Sequence, residues 1–278
     1  MSKRMDRYTR LKAITEFGYG IDWDTLSEAH VLIAGVGGLG SIAAEMLTRC
    51  GVGQLTLVDS DIVEEVNLNR LFYRSEHIGR SKVDVAEEVL RIINPDTQCI
   101  THHTDIMADD FDETFEGLLK KVDLLLMGLD NLPSRHFVNI KCVKFDLTYI
   151  DAGLSRSGLG GYIRPIIPRQ TACYACPGAF DLQKKREWGE SCTASLPTTT
   201  VIIAGLQVQQ ALVYLLNIGE LVNFVSYNAL TTQFTYSTFP RNSECPICGD
   251  ETRTEIIHSK TTEEDIMKLI DQITFEFD

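Results

Sequence analysis

Residues 31–61 read VLIAGVGGLGSIAAEMLTRCGVGQLTLVDSD, and this stretch decides the fold. The apolar run from Val31 to Ala34 predicts a buried strand, and the glycines that follow predict a sharp turn. Apolar residues at helical spacing then predict a helix that ends at Gly51 and Gly53, before a second strand over Gln54 to Asp59. A strand, a helix and a strand in this order predict a Rossmann-like, doubly wound α/β fold.

The glycine turn is suited to binding a phosphate. Glycine lets the backbone approach a ligand closely, and the N–H groups and positive dipole end of the following helix attract an anion. Asp59 lies nineteen positions after Gly40, where nucleotide-binding units present a carboxylate to the ribose hydroxyls. We therefore expect a nucleotide at four glycines, which are Gly35, Gly37, Gly38 and Gly40. An NAD-dependent dehydrogenase would look the same over these residues.

The composition restricts the classes of partner. The chain has 278 residues, of which 44% are hydrophobic and 23% charged, as in an ordinary soluble protein. Its 26 basic and 39 acidic residues give a net charge of −13, which argues against a nucleic-acid-binding surface. The basic N-terminus is not followed by an apolar segment, and no run reaches the length of a membrane span. We expect a cytoplasmic protein with neither a nucleic-acid nor a membrane partner.

Four of the eight cysteines form two CxxC pairs. Cys173 and Cys176 lie in CYAC, and Cys245 and Cys248 lie in CPIC, so together they can supply the four thiolates of a closed tetrahedral zinc site. Because 68 residues separate the pairs, the metal would join two distant segments. No ligand position is left for water, so the zinc would be structural. A redox-active CxxC is the alternative.

Strands and helices continue to alternate after the first βαβ unit. A helix begins at Lys82 and stops at Asn94, and the apolar run DLLLMG at 123–128 suits a buried parallel strand. The second half is expected to hold, in chain order, strands around 162–167, a long apolar helix over 201–216 and strands within 221–239. We interpret 1–253 as one domain with an N-terminal helical arm and additional antiparallel strands, and 254–278 as a short C-terminal tail.

Polar side chains follow the predicted strands on the side of the sheet where the glycine turn lies. They are Asp61, Asn67, Asn69, Arg70, Lys82, Asp130 and Asn131. Cationic groups can neutralise a triphosphate, and a carboxylate such as Asp130 can hold Mg²⁺. Any one of them could instead be a solvated loop residue or a helix cap. Together they favour adenylyl transfer over hydride transfer, because hydride transfer requires neither Mg²⁺ nor such a cluster.

Cys192 is the cysteine placed to react. It lies in WGESCTASLPTTTV at 188–201, among small polar residues and just before an apolar helix. A thiolate is the nucleophilic form of cysteine, and a nearby helix N-terminus lowers the pKa of a thiol from about 8.5. The alternative is a buried inert thiol, which Cys50, Cys99 and Cys142 fit by lying in apolar patterns.

Taken together, these motifs resemble the adenylation domain of enzymes that activate ubiquitin-like proteins. Adenylyltransferases that activate sulfur carriers for molybdopterin and thiamine synthesis share that domain. The resemblance runs from about Leu11 to Thr252. It rests on the motifs GVGGLGS, LVDSDIVEEVNLNRLFY and GRSKV, on the LDN of Asp130 and Asn131, and on the two CxxC pairs. Within the family, AEMLTRCGVG and SCTASLPTTT are most similar to the activating enzymes of the ubiquitin-fold modifier.

The resemblance implies a role for each site residue. The glycines around Gly38 would contact ATP, Asp59 the ribose, Asn69 and Arg70 the phosphates, Lys82 the phosphates and leaving pyrophosphate, Asp130 the Mg²⁺ and Asn131 the nucleotide. A glycine carboxylate at the C-terminus of the modifier would attack the α-phosphate, and the thiolate of Cys192 would then displace AMP. The resemblance further implies a homodimer that passes the thioester to a conjugating enzyme.

Two other functions stay open from the sequence. A sulfur-carrier adenylyltransferase would stop at the acyl adenylate, and the close spacing of CPIC is nearer to those enzymes. A domain that has lost catalysis could instead serve as a scaffold subunit, against which the complete set of Arg70, Lys82 and Asp130 argues.

The tail contains one amphipathic segment, EDIMKLIDQI at 264–273. Its apolar residues share one helical face and are Ile266, Leu269, Ile270 and Ile273. This face would bind a partner or pack on its own domain.

Overall fold

The computed structural model describes residues 6–176 and 194–250. In those ranges the strands are β1 His30–Ala34, β2 Gln54–Val58, β3 Gln98–His102, β4 Leu124–Met127, β5 Tyr149–Leu154, β6 Gly160–Ile166, β7 Phe224–Asn228 and β8 Gln233–Ser237. The α-helices are α1 Thr9–Lys12, α2 Gly38–Cys50, α3 Lys82–Ile93, α4 Asp112–Leu119, α5 Leu132–Lys144 and α6 Pro197–Leu215.

All these strands form a single sheet in the order β3-β2-β1-β4-β5-β6-β7-β8. The five strands from β3 to β5 run parallel, and β6, β7 and β8 continue the sheet in antiparallel pairs. The order 3-2-1-4-5 is that of a doubly wound nucleotide-binding fold, with β1 and β4 adjacent at the point where the chain reverses direction across the sheet. The predicted fold class is therefore confirmed.

Helices cover both faces of the parallel part of the sheet. Along β1, Val31 and Ile33 pack with α2, α3 and α6, whereas Leu32 and Ala34 pack with α4 and α5 on the opposite face. Successive residues of a strand point to opposite faces, so a strand between two helical layers must be apolar throughout. This burial explains why β1 and β4 read as continuous apolar runs.

Helix α6 corrects one expectation from the sequence. By length and composition it could cross a membrane, contrary to the expectation that no run is long enough. The difference arises because Pro197 and three threonines extend the helix before the apolar run that begins at Val201. The helix packs against α2, β4, β5 and β6, and its Ile203 and Val208 lie in buried apolar clusters. This packing buries 39% of the apolar window and accounts for that part of its composition.

The N-terminal arm is less helical than expected. It contains the four-residue α1 and two 3-10 helices, Ala13–Phe17 and Trp23–Ser27. Gly18 and Gly20 adopt positive φ angles of 81° and 67° between those two segments. A helix cannot continue through residues in that conformation, so the arm is broken into short pieces.

Gly40 provides a test of the tight packing at the glycine turn. A Cβ built on Gly40 would lie 1.9 Å from the carbonyl oxygen of Gly35, whereas one on Gly117 in α4 would meet nothing within 4 Å. We expect Gly40→Ala to lower the free energy of unfolding by about 3 kcal/mol or more. We expect the matched Gly117→Ala to raise it by about 0.5–1 kcal/mol, because alanine favours the helix. Urea unfolding followed by circular dichroism measures both, and equal stability of the two variants would contradict this packing.

Candidate functional site

The candidate site lies where β1 and β4 end beside each other. Gly35 follows β1 with a φ of +88°, a backbone conformation that residues other than glycine rarely adopt. A Cβ on Gly35 would lie 2.8 Å from the carbonyl oxygen of Gly128, which follows β4. The loops after the two strands therefore touch through backbone atoms. Doubly wound sheets bind ligands in the crevice outside such a pair of strands.

Helix α2 points its N-terminus into this crevice. Gly37 is the N-cap residue, and among the described residues no side chain caps the helix. The first N–H groups of an uncapped helix carry a partial positive charge and lack acceptors, so they form a binding site for an anion.

Asp59 connects the glycine turn to the loop after β2. Its Oδ2 accepts a hydrogen bond from the backbone N–H of Val36 at 2.6 Å, and its Oδ1 accepts one from the N–H of Asp61 at 2.8 Å. Burial raises the pKa of Asp59 above its usual value, while the charge of Lys82 and these two hydrogen bonds act in the opposite direction. A carboxylate accepts about four hydrogen bonds, so a contact with a ribose hydroxyl remains compatible with this bracing role.

Lys82 places a buried positive charge next to Asp59. The residue is only 5% exposed, and its Nζ lies 2.6 Å from Oδ2 of the exposed Asp61. It is the first residue of α3, whose N-cap is Ser81. A buried ammonium needs an anionic partner, and both Asp61 and a phosphate could supply one.

Arg70 lies directly over the glycine turn. Its Nη1 is 3.3 Å from the position that a Cβ of Gly37 would take, and its Nε is 3.5 Å from that of Gly38. The Nε atom is buried and has no hydrogen-bond partner within the described ranges. A buried guanidinium N–H without an acceptor, placed at a helix N-terminus, fits a phosphate oxygen as its missing partner.

Two asparagines of the predicted cluster act as caps. Asn67 is buried, and its Oδ1 accepts a hydrogen bond from the N–H of Glu64 at 3.0 Å. Asn131 is the N-cap of α5, and its Oδ1 accepts from the N–H of Ser134 at 2.9 Å. The capping role that the sequence left as an alternative is present for both. Their contacts with a nucleotide stay predictions, as does Mg²⁺ binding by the exposed Asp130.

Asn69 links this loop to the chain before α6. Its Nδ2 donates to the carbonyl oxygen of Ser195 at 3.1 Å. The methyl group of Thr200, in the first turn of α6, lies 3.3 Å from the Cβ position of Gly38. The segment that leads into α6 is therefore anchored beside the glycine turn. Cys192 itself lies outside the described residues.

Sequence reasoning missed a buried ion pair beside the site. Arg135 of α5 pairs with Asp151 of β5, and their side chains are 2% and 0% exposed. The only visible signal was Asp151, a lone charge in the otherwise uncharged strand β5, because α5 carries several polar and basic residues among which Arg135 does not stand out. Neither residue was singled out, because a charge expected to be buried has no visible partner in a linear sequence.

The four cysteines of the two CxxC pairs converge. Their Sγ atoms all lie within 4.8 Å of one another, and all four residues are buried. Sγ of Cys173 is 3.7 Å from that of Cys245, and Sγ of Cys176 is 3.4 Å from that of Cys248. A tetrahedral zinc with bonds of about 2.3 Å requires thiolates about 3.8 Å apart, so the cluster fits zinc. The alternative, a redox-active CxxC, needs only the two cysteines of one motif, so it does not explain why the two motifs lie together.

The cysteine cluster lies on the α4 and α5 face of the sheet. It belongs to the same buried cluster as Phe115, Phe137 and Tyr149. Nη2 of the buried Arg164 donates to the carbonyl oxygens of Ala172, at 2.7 Å, and of Cys173, at 3.1 Å. A metal there would join the segment after β6 to the segment after β8, away from the α2 face. Its role would be structural.

Zinc content tests the cysteine cluster. We expect about one zinc per chain in the purified protein and its loss in Cys245→Ser, because three remaining thiolates bind zinc less well than four. The free energy of unfolding should fall by about 3 kcal/mol or more, since metal binding is coupled to folding. Elemental analysis and urea unfolding measure these quantities. Cys50→Ser, outside the cluster, should keep its zinc, and zinc retained in Cys245→Ser would refute this ligand set.

Comparisons with known proteins give the family. Residues 8–247 match the ThiF family. Ubiquitin-like modifier-activating enzyme 5 of Dictyostelium discoideum is 40% identical over 253 residues, which are 86% of this chain and 66% of that protein. The enzyme of the same name from Caenorhabditis elegans is 39% identical over 257 residues, which are 87% of this chain and 60% of that protein. The chain thus spans less than two thirds of the length of these relatives.

Solved structures share the fold. A crystal structure of Escherichia coli MccB with ATP has a TM-score of 0.73 and 23% identity, covering 88% of this chain and 75% of that chain. Crystalline PaaA has a TM-score of 0.69 and 17% identity, covering 86% of this chain and 85% of that chain. These identities are low and demonstrate the fold alone. Because the family match covers most of the sequence, this chain belongs to the ThiF family.

Proposed function

We propose that this protein activates a ubiquitin-like modifier in two steps, adenylation of the C-terminal carboxylate of the modifier and transfer of the modifier to Cys192 as a thioester. The observation that carries the first step is the position of Arg70 against the N-terminus of α2, where the described residues provide neither a partner for its Nε nor a side-chain cap for the helix. The curated relatives named ubiquitin-like modifier-activating enzyme 5 support the choice of substrate. The fold neighbour solved with ATP supports the choice of nucleotide.

In the first step a carboxylate oxygen of the modifier attacks the α-phosphorus of ATP, and the bond to the bridging oxygen breaks to release pyrophosphate. An ionised carboxylate is already a nucleophile, so no general base is needed. Catalysis would come from positioning and from stabilisation of negative charge. The N-terminus of α2 and Arg70 would face the phosphates, and Lys82 would turn from Asp61 toward the leaving pyrophosphate.

The remaining predicted ligands complete this site. Asp59 would bind the ribose and Asp130 would hold Mg²⁺, which screens phosphate charge when bound. The glycines, Asp61 and the three asparagines would contact or position the nucleotide; these residues are Gly35, Gly37, Gly38, Gly40, Asp61, Asn67, Asn69 and Asn131. The buried cysteine cluster would hold a structural zinc.

In the second step the thiolate of Cys192 attacks the carbonyl carbon of the acyl adenylate, and AMP leaves. Cys192 is three positions before Ser195, which Asn69 holds beside the glycine turn. Three residues of chain span at most about 11 Å, so covalent connectivity favours a thiol within reach of this crevice. The thioester would then be passed to a conjugating enzyme.

The proposal includes a homodimer in the cytoplasm. The edge strand β8 is exposed along its whole length, with Tyr236 68% exposed, and such an edge favours association. A reducing compartment suits a reactive thiol and a thiolate metal site. Light scattering, which should give twice the chain mass of 31.1 kDa, tests the dimer, and cell fractionation tests the location. The tail segment 264–273 lies outside the described residues and remains a candidate for partner binding.

The two steps can be separated in one assay. Purified chain is mixed with Mg²⁺, ATP and a ubiquitin-fold modifier that ends in glycine, and AMP, pyrophosphate and a reducible adduct are measured. Lys82→Ala should lower all three by about 100-fold or more, because it removes a group that stabilises developing charge. Cys192→Ala should still form pyrophosphate but no adduct, and Cys99→Ala, on the remote β3 strand, should behave as wild type.

Each competing function gives a different result in this assay or in thermal unfolding with added nucleotide. Pyrophosphate without any adduct in the wild type would favour the sulfur-carrier adenylyltransferase. Neither product would favour the scaffold subunit. Protection from heat unfolding by NAD but not by ATP would favour the oxidoreductase. An adduct that survives in Cys192→Ala would refute the assignment of this cysteine.

A further inference from the structure

We propose that Arg135 is a positioning residue for Asp130, which it serves by holding the loop between β4 and α5 in one conformation. The inference depends on the proposed function, in which Asp130 holds Mg²⁺ at the nucleotide. Arg135 does not itself reach the nucleotide in this scheme. It fixes the backbone from which the Asp130 side chain extends.

The guanidinium of Arg135 bonds to both sides of the loop. Its Nη2 donates to the carbonyl oxygen of Leu129, the residue directly before Asp130. The same Nη2 donates to the carbonyl oxygen of Ala152 in β5 at 3.0 Å, and Nη1 pairs with the carboxylate of Asp151. One side chain thus ties the start of the loop to the neighbouring strand of the sheet.

The ion pair of Arg135 and Asp151 lies in the interior of the fold. Tyr162 of β6 donates from its hydroxyl to Oδ2 of Asp151 at 2.9 Å, so both oxygens of that carboxylate are hydrogen-bonded. Desolvation of two buried charges costs free energy that the attraction between them often does not offset. Stability alone is therefore a weak reason for a protein to retain a buried ion pair. A planar guanidinium can bond several acceptors in fixed directions, and this property suits a positioning role.

Asp130 is held from its other side as well. The next residue, Asn131, is fixed by its cap to the N–H of Ser134. Leu129 and Asn131 are therefore both anchored to the first turns of α5, one through Arg135 and one through the cap. Between them the side chain of Asp130 is exposed and therefore accessible to a ligand from the crevice. Groups that orient a ligand from outside the metal's own contacts typically change metal affinity about 10–100-fold when altered.

Arg164 offers a matched control. It is 3% exposed, compared with 2% for Arg135, and it also donates to two backbone carbonyls. Its acceptors lie beside the cysteine cluster rather than in the Asp130 loop. Residues Asp151 and Arg164 are partners in the β5–β6 register, so the two arginines occupy neighbouring parts of one core. A general loss of stability would affect variants at both positions alike.

Calorimetric titration of ATP into the full chain tests the proposal. The measured quantity is the gain in ATP affinity when EDTA is replaced by excess Mg²⁺. The wild type should show a gain that Asp130→Asn abolishes. Arg135→Lys keeps the charge but loses the second arm of the guanidinium, so it should lower the gain by about tenfold or remove it, while affinity in EDTA stays within about twofold. Arg164→Lys should keep the full gain, even if its melting temperature falls by as much as that of Arg135→Lys.

The outcomes separate this inference from the proposed function. A full gain in Arg135→Lys, or no gain in the wild type, would overturn the positioning role. Absence of ATP binding by the wild type in both conditions would overturn the proposed function itself. If Arg135→Lys does not fold, Tyr162→Phe decides, because it loosens Asp151 while leaving the arginine in place. That variant should lower the gain by about two- to tenfold, the effect of losing the one hydrogen bond from Tyr162 to Asp151, and an unchanged gain there would refute the role.

Discussion

Backbone contact among three glycines fixes the relation between the two halves of the parallel sheet. A Cβ on Gly35 would strike the carbonyl oxygen of Gly128, and a Cβ on Gly40 would strike that of Gly35. Close packing leaves no room for side chains at these points, so β1, the start of α2 and the end of β4 meet directly. This contact lies at the switch point between β1 and β4, where a doubly wound sheet forms its ligand crevice.

Charged groups of both signs surround this crevice. The N-terminus of α2, which no side chain in 6–176 or 194–250 caps, presents partial positive charge. Arg70 lies over it, and Lys82 contributes a buried ammonium nearby. Asp59 and Asp61 balance these cations and brace the glycine turn through backbone hydrogen bonds. Arg70 and the N-terminus of α2 still offer N–H donors to a phosphate, and Lys82 can exchange Asp61 for a second phosphate.

Much of the architecture could be predicted because it depends on local patterns. Gly51 and Asn94 end their helices where the sequence indicates, and the apolar runs of β1 and β4 identify buried strands. Interactions between distant segments could not be predicted in this way. The Arg135–Asp151 pair depends on which strand lies beside which helix. The pairing of Asn69 with Ser195 likewise joins residues 126 positions apart.

In the proposed function this crevice transfers the adenylyl group of ATP to a carboxylate. Isotope exchange between labelled pyrophosphate and ATP tests it most directly, because the label enters ATP only when the adenylation step runs in reverse. We expect exchange that requires Mg²⁺ and a ubiquitin-fold modifier with a free C-terminal glycine carboxylate. An amidated C-terminus should abolish it. Exchange that is absent with the free carboxylate, or equally fast with the amide, would contradict adenylyl transfer in this crevice.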